Sequence, residues 1–137
     1  YNSFKFDSNI RTASGTTVQS QGKQVADAPE WLGKVGATAR IGDFSVTPVL
    51  RYVGTRYGDI ENKEAISDYE VVDLTLEYRT RKVWEFEELS VSLNLLNLFD
   101  KYYISTIKNS QDVSEALSTT YYPGAPFTVV ATVGVKF

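Results

Sequence analysis

Hydrophobic and polar residues alternate along most of the chain with a period of two, the pattern that predicts half-buried β-strands. In FTVVATVGVKF, every odd position from Phe127 to Phe137 is apolar, whereas the even positions are mostly small or polar. The same split runs from Leu89 to Leu95 and from Val72 to Tyr78. The alternation predicts about six strands, which cover residues 1–15, 31–41, 44–57, 68–80, 87–99 and 126–137.

The connections between these strands differ in length at the two ends of the predicted sheet. IGDFS predicts a tight hairpin turn and RTRKVWEFEE a modest one. The other connections are long and polar, at residues 13–30, 58–67 and 100–126, and a helical turn is predicted within SQDVSEALS. Strands of about 9–11 residues, with short turns at one end and long loops at the other, are typical of outer-membrane β-barrels.

Composition excludes several classes of chemistry. A net charge of −3 without a basic run argues against nucleic-acid binding. Neither cysteine nor histidine is present, so thiolate ligands, thiol nucleophiles and the commonest general base are missing. Most hydrolytic chemistry is thereby excluded, and we expect no metal site and no cofactor. The chain has no apolar run of about 18 residues and no signal peptide, and YNSFKFDSNI resembles the middle of a strand, so further residues are expected upstream.

The alternation by itself leaves two classes of protein open: a transmembrane barrel, or a soluble β-sheet binding or adhesion module that presents its long loops to a partner. The barrel is favoured by strand length and by two sets of side chains. Aromatic residues cluster at strand ends: Trp31, Tyr52, Tyr57, Tyr69, Tyr78, Trp84, Phe86, Tyr102, Tyr103, Tyr121 and Tyr122. Charged residues fall on the polar face: Lys34, Arg40, Arg51, Asp73, Glu77 and Arg79.

A third interpretation is an enzyme that uses Asp73 and Glu77 as an acid pair. The two residues share one face of a predicted strand, but Thr75 lies between them. A water-filled lumen needs such charges for solvation, and this role accounts for both residues without catalysis.

Several segments resemble the C-terminal end of TonB-dependent outer-membrane receptors. LNLLNLFDKYY is similar to the family's Asn-Leu-Phe-Asp-Lys-x-Tyr element, here Asn97 to Tyr103. In YYPGAPFTVVATVGVKF, Gly124 and Pro126 match its Gly-x-Pro strand entry, and Phe137 its aromatic C-terminus. APEWLGKVGATARIG and LRYVGTRYGDIEN resemble a Pro-x-x strand entry and a Tyr-x-Gly-x-x-Tyr-x-Asp passage from strand to loop. The resemblance covers nearly the whole chain in the right order.

This resemblance implies an all-β fold. Residues 1–137 are expected to form about six C-terminal strands of an antiparallel transmembrane β-barrel of about 22 strands, whose plug domain and N-terminal strands are absent from this chain. It also implies a bacterial outer-membrane location. The function implied is the wall of a TonB-energised nutrient importer, for a ferric siderophore or another iron source.

The implied partners are outer-membrane lipid, an iron complex or other small nutrient, and TonB, which acts through the missing plug. The outer-membrane assembly machinery is expected to recognise the last strand through Val133, Val135 and Phe137. Arginine and tyrosine suit anionic ferric complexes and flat aromatic ligands. The loop candidates for ligand binding are Arg56, Tyr57, Tyr102, Tyr103, Tyr121 and Tyr122, for each of which packing in the loops or at the membrane interface is the alternative role.

Overall fold

A computed structural model describes residues 1–11, 15–83, 85–110 and 118–137, and within these ranges all regular structure is β. The strands are β1 (Ile10–Arg11), β2 (Thr17–Val18), β3 (Leu32–Gly36), β4 (Ala39–Ile41), β5 (Phe44–Val53), β6 (Arg56–Tyr57), β7 (Ala65–Ile66), β8 (Tyr69–Val83), β9 (Phe86–Leu96), β10 (Ile104–Ser110), β11 (Ser118–Pro123) and β12 (Thr128–Lys136). In the described part of the chain, no helix has the length and apolarity that crossing a membrane requires.

The largest sheet is a six-stranded antiparallel meander. Its order is β12-β9-β8-β5-β3, and β4 also pairs with β5. The register places apolar residues opposite one another, as in the row Val129, Leu95 and Leu74 across β12, β9 and β8. Because side chains alternate between faces, this register collects the apolar side chains on one face of the sheet.

The apolar face of this sheet is exposed. Val133 is 67% accessible, and Ile41, Phe44 and Val129 are exposed as well. Among the described residues, the buried hydrophobic side chains are Ile60, Val71 and Ile107. Such a large exposed apolar surface is not the arrangement of a soluble sheet packed over its own core.

Hydrogen bonds and ion pairs connect the side chains of the opposite face. Arg51 pairs with Asp73 at 3.0 Å, and Arg79 pairs with Glu77 at 2.7 Å. Thr75 Oγ1 donates to Asn94 Oδ1 at 2.8 Å across β8 and β9. Both acids of the enzymatic interpretation are therefore engaged by arginines, as expected on a hydrated polar face.

Five of the predicted strands are confirmed, although their ends differ. The strand predicted at 31–41 is interrupted between β3 and β4, at residues 37 and 38. β8 continues to Val83 and pairs there with Phe86, so the second short connection is tighter than predicted. Trp84 and the helical turn predicted around residues 111–117 lie outside the described residues.

Among the described residues 1–11, strand structure is limited to β1 (Ile10–Arg11), so the prediction of one continuous first strand from residue 1 is wrong. Phe6 N donates to Lys23 O at 3.0 Å, and Val25 N donates to Phe4 O at 2.9 Å. The start of the chain thus pairs with the first long connection instead of joining the large sheet. Phe4 and Phe6 alternate with polar residues, but a sequence pattern does not identify the segment that supplies the hydrogen bonds.

The chain divides into two compact units. The loop unit comprises Tyr1–Leu32, Tyr52–Tyr69 and Tyr102–Gly124, and the sheet unit comprises Gly33–Arg51, Glu70–Lys101 and Ala125–Phe137. The described part of the loop unit contains three strand pairs, in which β1 pairs with β2, β6 with β7 and β10 with β11.

The two faces of the sheet predict different responses to an added charge. If this face contacts lipid, as the resemblance implies, Leu74→Arg places a cation in the hydrocarbon and is expected to lower the unfolding free energy by about 2–4 kcal/mol. Thr75→Arg, on the polar face, is the matched control and is expected to cost far less. Denaturant titration of the complete protein in lipid bilayers measures both. Equal losses would indicate a sheet that is packed on both faces.

Candidate functional site

The end of β9 is held by a hydrogen-bonded turn built on Asn97. Asn97 is 2% exposed and has a φ of 50°, a left-handed conformation that asparagine tolerates better than most residues. Its Nδ2 donates to Lys101 O at 2.9 Å and to Ala125 O at 3.0 Å, while its Oδ1 accepts Lys101 N at 2.9 Å. Its own N–H donates to Asp73 Oδ1 at 2.9 Å. One side chain therefore links the end of β9 to the approach to β12.

Asp100 closes the same turn. It also has a left-handed φ, 49°, and its Oδ1 accepts the N–H of Phe127 at 2.8 Å. Phe99, between these two polar anchors, projects outward and is exposed. The Asn-Leu-Phe-Asp element therefore shapes the turn, which accounts for both its polar residues and its exposed aromatic residue.

Arg56 makes polar contacts with several segments of the loop unit. It is 2% exposed, and its Nη1 contacts Asp27 Oδ1 at 2.7 Å and Ser105 O at 3.2 Å. Its Nη2 donates to Ile104 O. Asp27 Oδ2 accepts the N–H of Ile107 at 3.2 Å. These contacts tie β6, which leads into the second long connection, to the first and third long connections, because Asp27 belongs to the first and Ile104, Ser105 and Ile107 belong to the third.

Aromatic rings extend this cluster. The guanidinium carbon of Arg56 lies 5.5 Å from the centroid of the Tyr69 ring, a cation–π distance. Tyr69 in turn packs on Tyr103, with ring centroids 4.4 Å apart. Gly124 lies against the Tyr103 ring so closely that an added Cβ would be 2.0 Å from Cζ. Glycine in the Gly-x-Pro element is thus required by this contact.

Two further sets of polar contacts join the connections in pairs. Asn62 pairs with the backbone of Gln24, since its Oδ1 accepts Gln24 N at 2.7 Å and its Nδ2 donates to Gln24 O at 2.8 Å. Thr119 Oγ1 donates to Gly58 O at 2.9 Å.

The hydroxyl group of Tyr121 has a raised pKa. Burial raises the pKa of Tyr121 to about 12, and the carboxylate of Glu64 acts in the same direction. Tyr121 therefore stays protonated inside the loop unit at neutral pH.

The six loop candidates fall into different environments. Arg56 is buried, Tyr103 is packed against Gly124 and Tyr69, and the Tyr121 hydroxyl is buried. Tyr57 is half-buried. Tyr102 is 79% exposed and Tyr122 is 43% exposed, and the Lys108 ammonium lies 5.2 Å from the centroid of the Tyr122 ring. The exposed surface of the loop unit thus presents two of the six.

Sequence reasoning missed Asp27 and Lys108. Asp27 has a left-handed φ of 59°, and an Asp–Ala–Pro sequence is a turn signal that could have placed it in a defined loop conformation. Nothing in the sequence indicates that its carboxylate reaches Arg56. In the described part of the chain, the acidic residues form no cluster able to hold a metal ion.

Comparison with known proteins places these features in context. The sequence model of the family described as TonB dependent receptor-like, beta-barrel, matches residues 1–98. The chain is similar to the catecholate siderophore receptor Fiu of Escherichia coli strain K12, with 30% identity over 99 residues. That alignment covers 69% of this chain and 11% of Fiu, so the chain spans a small part of the relative's length.

Two solved structures share the fold. The ferric citrate transporter FecA, in its unliganded form, aligns with a TM-score of 0.69 and 18% identity over 86% of this chain and 18% of FecA. BauA, the ferric preacinetobactin receptor from Acinetobacter baumannii, aligns with a TM-score of 0.68 and 20% identity over 86% of this chain and 16% of BauA. At these identities the likeness establishes the fold alone, that of part of a β-barrel.

Arg56 is expected to be essential for order in the loop unit. Arg56→Ala leaves the half-buried Asp27 without its cation and frees two carbonyl groups, and loss of hydrogen bonds to a charged group costs about 1.5–3 kcal/mol. Amide hydrogen exchange at Ile107, whose N–H donates to Asp27, should accelerate accordingly. Lys63→Ala, which removes an exposed cation paired with Glu61, is the control and should leave the exchange unchanged. Unchanged protection in Arg56→Ala would show that this ion pair does not hold the connections together.

Proposed function

Because this chain belongs to the TonB-dependent receptor-like β-barrel family, we propose that it forms part of the wall and loops of an outer-membrane importer for an iron complex, specifically a ferric siderophore. The match of the family's sequence model to residues 1–98 carries the proposal. Similarity to a catecholate siderophore receptor supports the choice of ligand class. TonB-dependent receptors are transporters of the bacterial outer membrane, and not enzymes.

The two faces of the sheet support the proposed membrane location. β5, β9 and β12 have 10, 11 and 9 residues, and a tilted strand of about 9–11 residues crosses the hydrocarbon core. The exposed apolar face then contacts lipid, and the ion-paired polar face lines the aqueous lumen. The soluble adhesion module explains this surface less well, because its apolar face would need a covering layer.

We further propose that TonB acts through the plug domain of the complete receptor, and that the described residues of the long connections face the exterior. We propose that the assembly machinery recognises the C-terminal segment through Val133, Val135 and Phe137, because recognition by strand pairing uses backbone hydrogen bonds for affinity and alternate side chains for specificity.

The candidate ligand-binding residues of the loop unit fall into two groups. Arg56, Tyr103 and Tyr121 hold the connections in place, whereas Tyr122 and Tyr102 present rings at the surface. Lys108 adds a cation beside Tyr122. An aromatic ring next to a cation suits a ligand that is both anionic and aromatic, as the iron complex of a catecholate is.

Uptake of iron from a defined complex tests the proposal. Cells that lack their own ferric siderophore receptors and express the complete receptor are expected to accumulate iron-55 from a ferric catecholate, because the barrel admits the complex and TonB supplies the energy. Inactivation of TonB should abolish the uptake. Failure to bind any ferric complex, or uptake that does not depend on TonB, would contradict the proposed function.

A matched pair of variants tests the proposed ligand contact in the same assay. Tyr122→Ala is expected to raise the half-saturating concentration about tenfold, the effect of losing one aromatic contact. Phe99→Ala removes another exposed ring, but one that belongs to the turn of the sheet unit, and it should leave uptake unchanged. If both variants change uptake equally, the exposed rings contact the membrane interface and not the ligand.

A further inference from the structure

The loop unit contains a small cleft that the proposed import does not use. Its volume is about 240 Å³, and it is lined by Gln24, Glu30, Trp31, Tyr52, Gly54, Thr55 and Tyr57. Pockets for drug-sized ligands have volumes of about 300–1,000 Å³, so this cleft suits a smaller chemical group. Three of the lining residues are aromatic, and one carries a charge.

Contacts with neighbouring residues fix the positions of two of the lining aromatic residues, Trp31 and Tyr52. Gly54 N donates to Trp31 O at 2.8 Å, and an added Cβ at Gly54 would be 3.2 Å from that oxygen, so glycine permits the close approach. The Tyr1 ring packs on Trp31 with centroids 5.2 Å apart. Tyr52 donates its hydroxyl hydrogen to Asp68 Oδ2 at 3.0 Å. Trp31 and Tyr52 are thus positioned independently of any ligand.

The charges around the cleft are negative. Glu30 is the charged residue among the described lining residues, and Asp68 lies behind Tyr52. The neighbouring Arg56 is directed to Asp27 at 2.7 Å and is buried. Gln24, which is buried, uses its side-chain amide to donate to Ala28 O. A cation is therefore the charge type that this cleft favours.

We propose that this cleft binds an alkylammonium group, with the rings of Trp31, Tyr52 and Tyr57 as its walls and Glu30 as its counter-ion. Aromatic faces attract ammonium groups through the negative potential of the ring, and tryptophan does so best. A quaternary ammonium on a small organic molecule or on a lipid headgroup has this chemistry. The inference is independent of the proposed iron import.

Other ligand types fit the lining less well. An anion would face Glu30 without a lining cation to balance it. A purely apolar group would cover the Glu30 carboxylate without replacing its hydrogen bonds to water. A neutral sugar would stack on the rings without using the charge of Glu30, and this difference makes it the informative competitor.

Binding of choline to the purified complete receptor tests the proposal. Choline is expected to bind at least about tenfold more tightly than 3,3-dimethyl-1-butanol, its neutral isostere, because only the cation gains from the rings and the carboxylate. Glu30→Gln and Trp31→Leu should each weaken choline binding about tenfold in calorimetric titration. Phe99→Leu, an aromatic change at an exposed ring of the sheet unit, should leave the affinity unchanged, and circular dichroism checks that each variant is folded.

Three results would overturn the inference. They are equal affinity for choline and its neutral isostere, unchanged choline affinity in Glu30→Gln, and tighter binding of methyl glucoside than of choline. Two lipid compositions distinguish the source of the group. Choline binding to the receptor in phosphatidylglycerol nanodiscs that weakens in phosphatidylcholine nanodiscs, where headgroups compete for the cleft, indicates a lipid headgroup. Equal choline binding in both kinds of nanodisc indicates a free solute, and both results support an ammonium site.

Discussion

The cross-strand register of the large sheet is the constraint on which the rest of the structure depends. Val129, Leu95 and Leu74 form one row, and Thr132, Ser92 and Glu77 form another. A slip of one residue in any strand would exchange its two faces and place serines and carboxylates among the leucines. If one face contacts lipid, as proposed, such a slip is strongly unfavourable, because charged groups there cost about 2–4 kcal/mol each. The same alternation that predicts the strands therefore also fixes how they pair.

Two buried side chains, Asn97 and Arg56, stabilise the parts of the structure that the register does not determine. Asn97 stabilises the turn at the end of β9 by hydrogen-bonding the backbone groups of Lys101 and Ala125. Arg56 stabilises the long connections through its contacts with Asp27, Ser105 and Ile104. Both side chains are buried, and both bind backbone groups far from them in sequence. A barrel receptor needs ordered loops because a ligand meets a preformed surface at lower entropic cost.

Much of the sheet could be predicted from the sequence, because β5, β8, β9 and β12 are long enough for the period of two to be distinct. The hairpin β10–β11 was missed because ISTIKNS has a weak alternation. The first strand was predicted wrongly because the segment around Phe4 and Phe6, despite its alternation, hydrogen-bonds to the backbone of the first long connection. Arg56 could be placed in a loop, but its burial depends on Asp27, 29 residues away, and on no local pattern. The local alternation of apolar and polar residues predicts strands, but it does not predict which side chains distant in sequence will contact each other.

The central claim is that one face of this sheet contacts lipid and the other contacts water. Spin labels on single cysteines placed in turn from Leu89 to Leu95, in the complete receptor with other cysteines replaced, measure it directly. Oxygen, which concentrates in lipid, should collide most with labels at 89, 91, 93 and 95. A water-soluble nickel chelate should collide most with labels at 90, 92 and 94, because these positions face the lumen. Two profiles that rise and fall together, or that show no period of two, would contradict the account.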